Sequence, residues 1–209
     1  MVYKVIIWDF DGVIVFSNQI RENGFREIFK NYTNDQVERL IEFHRANGGL
    51  SRYVKIRFFY EKILGENITE LEVQNLADQF SKQMELFMYD PSILNSDWLN
   101  FMKENHDKVE HFIASGSDQR ELRVICEKLG IANYFQNIYG SPIPKNELVS
   151  NIIRERSNVS LDQFLLIGDS TNDLEAANVN NIHFIGYNSD ELAEIEDLNF
   201  VEKLSDIIL

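Results

Sequence analysis

The most informative stretch of this chain is Val5-Ile6-Ile7-Trp8-Asp9-Phe10-Asp11-Gly12-Val13. Its apolar part predicts a buried strand over residues 3–8, and Gly12 marks the turn that follows. In an open α/β sheet, the ligand crevice lies beyond the carboxyl ends of the parallel strands, which is where Asp9 and Asp11 fall. Neighbouring carboxylates repel one another, so the arrangement indicates a cation or a reaction that uses both acids. The alternative is an ordinary Asx-type turn, in which Asp and Gly are common.

Composition narrows the class of protein. The chain has 209 residues, of which 44% are hydrophobic, enough for one domain or for one domain that carries an insertion. Its single cysteine, Cys126, excludes an internal disulfide framework, and its helical surroundings favour a buried thiol. A net charge of −14 argues against a general nucleic-acid binder, because affinity for the phosphate backbone needs clustered cations.

Membrane association and secretion are also not expected. No stretch approaches the roughly 18 apolar residues of a membrane span, and the N-terminus lacks a cationic segment followed by a long apolar run. We therefore expect a cytoplasmic protein. Its oligomeric state stays open, since periodicity alone does not separate an exposed apolar patch from the core.

The part of the chain between about Asn18 and Tyr89 is predicted to be all-helical. Apolar residues recur there at spacings of three and four, without a convincing strand. Thr69 followed by Glu72 forms a capping box that starts the last helix of the group, and Pro91 helps to end it. Two sets carry the periodicity, namely Phe25, Ile28 and Phe29, and Leu71, Leu76, Phe80, Met84 and Phe87.

After Pro91 the pattern changes to short apolar strands that alternate with helices. Strands are predicted at 111–114, 163–167 and 182–185, and helices near 118–129, 145–156 and 171–179. Alternation of this kind favours a parallel sheet. We therefore predict an α/β protein with a Rossmann-like parallel-sheet core, formed by residues 1–15 and 91–209. Residues 16–90 form an inserted, all-helical cap.

A second segment also has an apolar run that ends in glycine and carboxylates, and it forms a second acidic corner. The segment Leu165-Leu166-Ile167-Gly168-Asp169-Ser170-Thr171-Asn172-Asp173 is an apolar strand followed by glycine and carboxylates. Asp169 lies at the strand tip, and Asp173 falls in the first turn of the next helix. Oxygen ligands from two strand ends are what Mg²⁺ prefers, which makes Mg²⁺ the expected cofactor. The alternative for Asp173 is that it only complements the helix dipole.

Two weaker signals lie between the acidic corners. Ser115-Gly116-Ser117 follows a predicted strand and precedes a helix, so its hydroxyl and N–H groups are candidates for holding a phosphate. The alternative is an ordinary N-cap by Ser115 or Ser117. Lys145 enters a helix after two prolines and is a candidate cation for the nucleophile and the phosphate, although a lone loop lysine is usually solvated.

These segments resemble, in order and spacing, the motifs of the haloacid dehalogenase superfamily, in particular its phosphatases with a helical cap. The resemblance covers essentially the whole chain. It implies that Asp9 is the nucleophile and Asp11 the general acid/base, while Ser115 and Lys145 bind the transferring phosphate. It further implies that Mg²⁺ is held by Asp169, the Asp9 carboxylate and the Asp11 backbone carbonyl, with Asp173 supporting the site.

The predicted cap contains a cationic, glycine-containing loop, His44-Arg45-Ala46-Asn47-Gly48-Gly49-Leu50-Ser51-Arg52. Its second half resembles the cap loop of β-phosphoglucomutases, where the corresponding arginine holds the non-transferring phosphate. Arg52 or Arg45 is therefore a candidate for binding a second anionic group of the substrate. The alternative is a simple turn between helices, with Arg52 on a surface.

The resemblance implies a Mg²⁺-dependent phosphatase that hydrolyses a small phosphorylated metabolite, such as a sugar phosphate or a phosphoglycolate-like acid, through an aspartyl-phosphate. A phosphomutase is the alternative within the same fold. β-Phosphoglucomutases carry an acid and a histidine where this chain has Phe16 and Arg21, which argues against it. A non-catalytic protein that binds Mg²⁺ or a phosphorylated ligand is an alternative of another class.

Overall fold

The computed structural model describes residues 3–209 and contains a six-stranded parallel sheet in the order β3-β2-β1-β4-β5-β6. The first strand, β1, lies between β2 and β4 and pairs with both in parallel. The central strand of the sheet therefore leads directly into the first acidic corner. The strands are β1 (Val5–Trp8), β2 (Glu110–Asp118), β3 (Asn137–Ser141), β4 (Phe164–Gly168), β5 (His183–Tyr187) and β6 (Phe200–Val201).

Helices cover both faces of this sheet, as the alternation of side chains along β1 requires. Ile6 and Trp8 pack in one cluster of buried residues, whereas Val5 and Ile7 pack in the other. The described helices are α1 (Asn18–Ile28), α2 (Asn34–Ala46), α3 (Arg52–Phe58), α4 (Glu70–Met88), α5 (Ser96–Asn105), α6 (Gln119–Lys128), α7 (Lys145–Glu155), α8 (Thr171–Val179) and α9 (Asp190–Ala193). The predicted fold class, a Rossmann-like α/β sheet with an inserted helical segment, is confirmed.

The sequence patterns located the central strands and missed those at the sheet edges. Strands were expected at the positions of β1, β2, β4 and β5, and all four are present. The prediction omitted β3 and β6, which lie at the two ends of the strand order. An edge strand is stabilised by one neighbour and carries a shorter apolar run, so its local sequence signal is weaker.

In the chain, helices α1–α4 follow β1 and come before α5 and the remaining strands. We refer to residues 18–88 as the cap. The predicted capping box is present, because the Thr69 hydroxyl accepts from the Glu72 backbone and the Glu72 carboxylate accepts from Thr69. The predicted apolar stripe of α4 was partly wrong, since the Leu71 and Phe87 side chains are exposed. The buried face consists of Val73, Ala77, Phe80, Met84 and Met88.

Two further expectations concern the rest of the fold. Cys126 is buried in α6, as its helical surroundings indicated, and burial raises the pKa of its thiol to about 12. Within residues 3–209, no helix combines the length and the apolar composition needed to cross a membrane.

A buried histidine of β2, His111, makes stability depend on pH. The His111 Nδ1 accepts a hydrogen bond from the Trp8 Nε1 at 3.0 Å, so the ring is neutral. Burial lowers its pKa from 6.5 to about 4. As the pH falls from 6.5 to 4, the unfolded chain takes up a proton that the folded chain excludes, so stability is lost in that window.

We expect His111→Gln, whose amide can still accept from Trp8, to remove this contribution. Urea denaturation between pH 7 and pH 4 should show the wild type losing stability relative to the variant by about 1.4 kcal/mol per pH unit below 6.5. Parallel pH dependences for the two proteins would contradict the assignment.

Candidate active site

The register of the sheet brings the predicted motifs to one edge. Trp8 pairs with Ile113 of β2 and with Ile167 of β4, so the residues that follow all three strands meet beyond the sheet. The Asp9 backbone N–H donates to the Ile167 carbonyl at 2.9 Å, which fixes Asp9 at the strand tip. Asp9 is 4% exposed, and Ser115 is 1% exposed.

Lys145 joins the two acidic corners. It is the first residue of α7, and its buried Nζ lies 2.7 Å from Asp9 Oδ1 while it also contacts Asp173 Oδ1. Burial and the neighbouring Asp173 raise the pKa of Asp9 to about 7, although Lys145 opposes them. The two carboxylates together hold the pKa of Lys145 above its ordinary value despite its burial. The predicted loop lysine is therefore a buried ammonium beside the candidate nucleophile.

Three carboxylates form a cluster suited to a hard cation. Each of Asp9, Asp169 and Asp173 offers an oxygen within 4.8 Å of the others. Among residues 3–209, no group donates a hydrogen bond or forms an ion pair to the Asp169 carboxylate. Burial and Asp9 raise the pKa of Asp169 well above its ordinary value. Excess negative charge and oxygen ligands, one of them on a half-buried carboxylate with no protein partner among residues 3–209, fit a divalent cation such as Mg²⁺.

Gly12 allows Asp169 to approach the first motif. Its φ is +87°, and a Cβ at this position would lie 1.9 Å from Asp169 Oδ2. Any other residue type would therefore be strained by its backbone conformation and would displace the carboxylate.

Asp173 has two roles in the structure. Its Oδ2 accepts from the Ser170 backbone N–H at 3.1 Å and from the Ser170 hydroxyl at 2.6 Å, which closes a capping box at the start of α8. Its other oxygen contacts Lys145. The residue thus stabilises the helix terminus, as the simpler interpretation held, and also belongs to the carboxylate cluster.

The Asp11 side chain points away from that cluster and is held by residues of the cap and of β2. Arg21 Nε donates to Asp11 Oδ1 at 3.0 Å, the Ser117 hydroxyl donates to Oδ2 at 2.5 Å, and the Ser17 hydroxyl also contacts Oδ1. Burial alone would raise the pKa of Asp11, but the Arg21 guanidinium and the hydroxyls outweigh it and lower the pKa. Asp11 is therefore ionised in this arrangement.

The Ser115–Ser117 segment lies within β2 and lines the same cavity as Asp9 and Asp11. The Ser115 hydroxyl accepts from the Ser117 backbone N–H at 3.0 Å. Neither serine caps the next helix, because Asp118 does so by accepting from the first backbone N–H groups of α6. The N-cap alternative was therefore wrong, and the segment precedes the helix instead of starting it.

Both candidate cap arginines are paired with carboxylates. Arg52 is 5% exposed, lines the cavity and donates to Glu121 of α6 at 2.6 and 2.9 Å. Arg45 donates to both oxygens of Glu22 at 2.7 Å, and 58% of its side chain is exposed. Arg52 is therefore not a surface residue, and Arg45 lies at a more open edge of the site.

Sequence reasoning missed several residues of the cavity. Arg21 bridges Asp11 and Glu121, and Glu121 receives both Arg21 and Arg52. Lys55 and His44 also line the cavity and contact each other. In the sequence, Arg21 differs from the histidine of β-phosphoglucomutases, but no motif gives it a role. Arg21 lies on α1 and faces the strand tips, and this orientation depends on how the cap packs against the sheet, which the sequence does not show.

The cap loop closes tightly over the strand tips. A Cβ on Gly116 would lie 2.3 Å from the Gly49 carbonyl oxygen, so the two backbones are in direct contact across the site. The cavity beneath the loop is partly open to solvent and has a volume of about 40 Å³. That volume accommodates only a few water-sized molecules, so the loop in this position leaves little room for a phosphate ester beside Asp9.

Comparisons with known proteins agree with the geometry. The β-phosphoglucomutase of Clostridium difficile has a TM-score of 0.76 at 16% identity, over 100% of this chain and 94% of that one. A CbbY variant from Rhodobacter sphaeroides, in complex with xylulose 1,5-bisphosphate, has a TM-score of 0.76 at 15% identity, covering 98% and 96%. A phosphoglycolate phosphatase predicted in Haemophilus somnus has a TM-score of 0.72 at 16% identity, also covering 98% and 96%.

At these identities, the structural similarity establishes the fold. Comparison with curated proteins gives no significant match. The family model described as haloacid dehalogenase-like hydrolase matches residues 6–187, a span that includes both acidic corners, the cap and Lys145. The resemblance seen in the motifs is thereby confirmed, and the chain belongs to the haloacid dehalogenase-like hydrolase family.

Proposed function

We propose that this protein is a Mg²⁺-dependent phosphatase that hydrolyses a small phosphorylated metabolite through an aspartyl-phosphate on Asp9. The observation that carries the proposal is the buried contact between Lys145 and Asp9, 2.7 Å long, beside the unsatisfied Asp169 carboxylate. A carboxylate held next to an ammonium at a strand tip is positioned to attack an anionic phosphorus centre, whose charge the ammonium offsets.

In the first half-reaction, an Asp9 oxygen forms a bond to phosphorus as the bond to the ester oxygen breaks. The leaving alkoxide takes a proton from Asp11, and Lys145 offsets charge on the equatorial oxygens. In the second half-reaction, Asp11 accepts a proton from water as that water attacks phosphorus. Inorganic phosphate leaves, and the Asp9 carboxylate is regenerated.

The contacts of Asp11 favour its role as a base when the cap is closed. The Arg21 guanidinium lowers the pKa of Asp11, so the carboxylate is ready to accept a proton from water. Proton donation to the leaving group needs the protonated form. Because Arg21 belongs to the cap, opening of the cap removes the strongest charge that disfavours that form, and Asp11 then gains its proton more readily.

Asp9, Asp169 and the Asp11 backbone carbonyl would hold Mg²⁺, with Asp173 supporting the site. When bound, the cation would stabilise negative charge on the transferring phosphoryl group. Ser115 and Gly116, which line the cavity beside Asp9, would contact that group. The closed cap excludes bulky chains, so we propose sugar phosphates or phosphoglycolate-like acids as the substrate class.

The first test is release of inorganic phosphate from a panel of small phosphomonoesters, with and without Mg²⁺. We expect Mg²⁺-dependent release by the wild type and a loss of at least about 10³-fold in Asp9→Asn, because the nucleophile is removed. Phosphate transfer between positions of a sugar, without release, would instead identify a mutase. Binding without turnover on the whole panel would contradict an enzymatic role.

A second test concerns closure of the cap loop. Gly116→Ala places a methyl group against the Gly49 carbonyl, so the loop is held away from the strand tips. We expect kcat/KM for the best substrate to fall about 100-fold, because small displacements of catalytic groups are costly.

Gly48→Ala is the matched control for Gly116→Ala. Its Cβ meets only Ser170 Cβ at 3.7 Å, an ordinary contact, so its kcat/KM should stay much closer to that of the wild type. Equal effects of the two substitutions would show that loop contact with Gly116 is not what activity requires.

A further inference from the structure

Glu121, in the first turn of α6, pairs with two arginines that line the cavity. Its Oε1 accepts from Arg21 Nη1 at 2.6 Å, while Arg52 donates to Oε2 at 2.6 Å and to Oε1 at 2.9 Å. The side chains of Arg52, Arg21 and Glu121 are 4%, 6% and 12% exposed. The two guanidinium groups hold the pKa of Glu121 far below its ordinary value although burial opposes them, so the carboxylate is ionised. An acid of the core therefore neutralises charge that the cap brings to the cavity.

The arginine charges of this network are balanced by carboxylates. Arg21 also donates from Nε to Asp11 at 3.0 Å and from Nη2 to Ser117 at 3.1 Å, so each of its guanidinium nitrogens is occupied. Two arginines thus face two carboxylates, those of Asp11 and Glu121. A second anionic group of a substrate would meet cations that are already paired and the like charge of Glu121, a repulsion that a neutral group avoids.

Lys55 also lines this cavity, but it offers no free charge comparable to that of an unpaired arginine. Its Nζ lies 2.8 Å from His44 Nδ1 and donates to the Gly48 carbonyl at 3.1 Å. Burial lowers the pKa of Lys55 to about 7, although the carboxylates of Asp11 and Asp9 favour its charged form. Near pH 7 Lys55 is therefore only partly protonated, and the charge that it carries already faces carboxylates of the same cavity.

The cavity retains hydrogen-bond donors that suit a neutral group. Among residues 3–209, no acceptor pairs with Arg52 Nε, and the guanidinium lies 4.6 Å from the centre of the Phe80 ring. Asn18 lines the same cavity. An N–H donor whose charge is already compensated binds a hydroxyl oxygen without requiring a second anion.

We propose that Glu121 is a specificity-determining residue, which keeps the two arginines paired and thereby selects phosphate esters whose leaving group is uncharged. The inference rests on the proposed phosphatase function and narrows its substrate class. It favours esters of neutral polyols and sugars over phosphoglycolate-like acids and over bisphosphates. An acid of α6 then sets the charge that the cavity accepts, and the arginines of the cap do not by themselves indicate a substrate with two anionic groups.

Two matched pairs of substrates test this assignment, and the members of each pair differ by one anionic group. Glycerol 3-phosphate is compared with 3-phosphoglycerate, in which a carboxylate replaces the terminal hydroxymethyl group. Fructose 6-phosphate is compared with fructose 1,6-bisphosphate. In each pair that is hydrolysed, we expect the kcat/KM of the wild type to be higher for the member with a single anionic group.

Glu121→Gln should weaken or reverse this discrimination, because it leaves Arg52 with a charge that a substrate anion compensates. The ratio of kcat/KM for the two-anion member to kcat/KM for the other member should rise about 10- to 100-fold. The ratio cancels any effect that Arg21 transmits to Asp11, since both members use the same acid/base. Glu127→Gln removes an exposed acid of the same helix and should keep the wild-type ratio. The double variant Glu121→Gln/Arg52→Gln also removes the released charge and should return to a ratio close to that of the wild type.

Thermal unfolding in sodium sulfate and in sodium chloride, at equal ionic strength, tests the same point without turnover. We expect sulfate to raise the Tm of Glu121→Gln more than the Tm of the wild type or of Glu127→Gln, because an anion that binds the released arginines stabilises the folded state. Equal shifts in the three proteins would show that Glu121 does not withhold these arginines from an anion.

The outcomes separate this inference from the proposed function. A higher wild-type kcat/KM for the two-anion members, or an unchanged ratio in Glu121→Gln, would overturn the role of Glu121 and leave the phosphatase intact. If no probe is hydrolysed, the proposed function fails, and the sulfate measurement then decides the role of Glu121. The wild-type comparison needs no variant, so it stays decisive if Glu121→Gln does not fold.

Discussion

The buried ammonium of Lys145 between Asp9 and Asp173 is the interaction on which the rest of the site depends. It joins α7 to the tip of β1 and to the start of α8, so it ties both acidic corners together. The buried Asp9 and Asp173 and the half-buried Asp169 form one cluster, and these three carboxylates would repel one another strongly without Lys145. Removing one member of a buried ion pair commonly costs about 3–5 kcal/mol, because the partner charge stays buried and uncompensated.

A second network connects the cap to the sheet. Glu121 of α6 accepts from Arg21 of α1 and from Arg52 of α3, and the combined charge of the two arginines holds its pKa far below the ordinary value despite burial. Arg21 also contacts Asp11, so the position of α1 and the lowered pKa of Asp11 are physically linked. The same residues therefore shape the cavity and set the charge of Asp11.

The sequence was sufficient to predict the central strands and the helices, because these depend on the local pattern of apolar residues. Apolar runs ending in acidic corners located the central strands, and periodicity located the helices. The features it missed depend on tertiary contacts. β3 and β6 exist because one neighbouring strand pairs with each. Leu71 is as apolar as a core residue, but only packing determines that α4 turns it outward.

The same limit applies to the site. Asp9, Asp169 and Lys145 were marked by spacing along the chain, and the structure brings them together as expected. The partners of the cap arginines could not be read from the sequence, because Glu121 lies on a helix of the sheet domain and has no motif. Lys55 likewise has no sequence signal. Its burial in the cavity and its contact with His44 depend on how the cap packs, which the sequence does not show.

The proposed reaction requires that Asp9 carries the phosphoryl group during turnover. The most direct measurement is acid quenching of the Mg²⁺-loaded enzyme during hydrolysis of its best substrate, followed by peptide mass spectrometry. We expect a phosphoryl group on Asp9 that hydroxylamine removes and that is absent from Asp9→Asn. Release of inorganic phosphate with the phosphoryl group on another residue, or with no phosphorylated enzyme at any quench time, would contradict it.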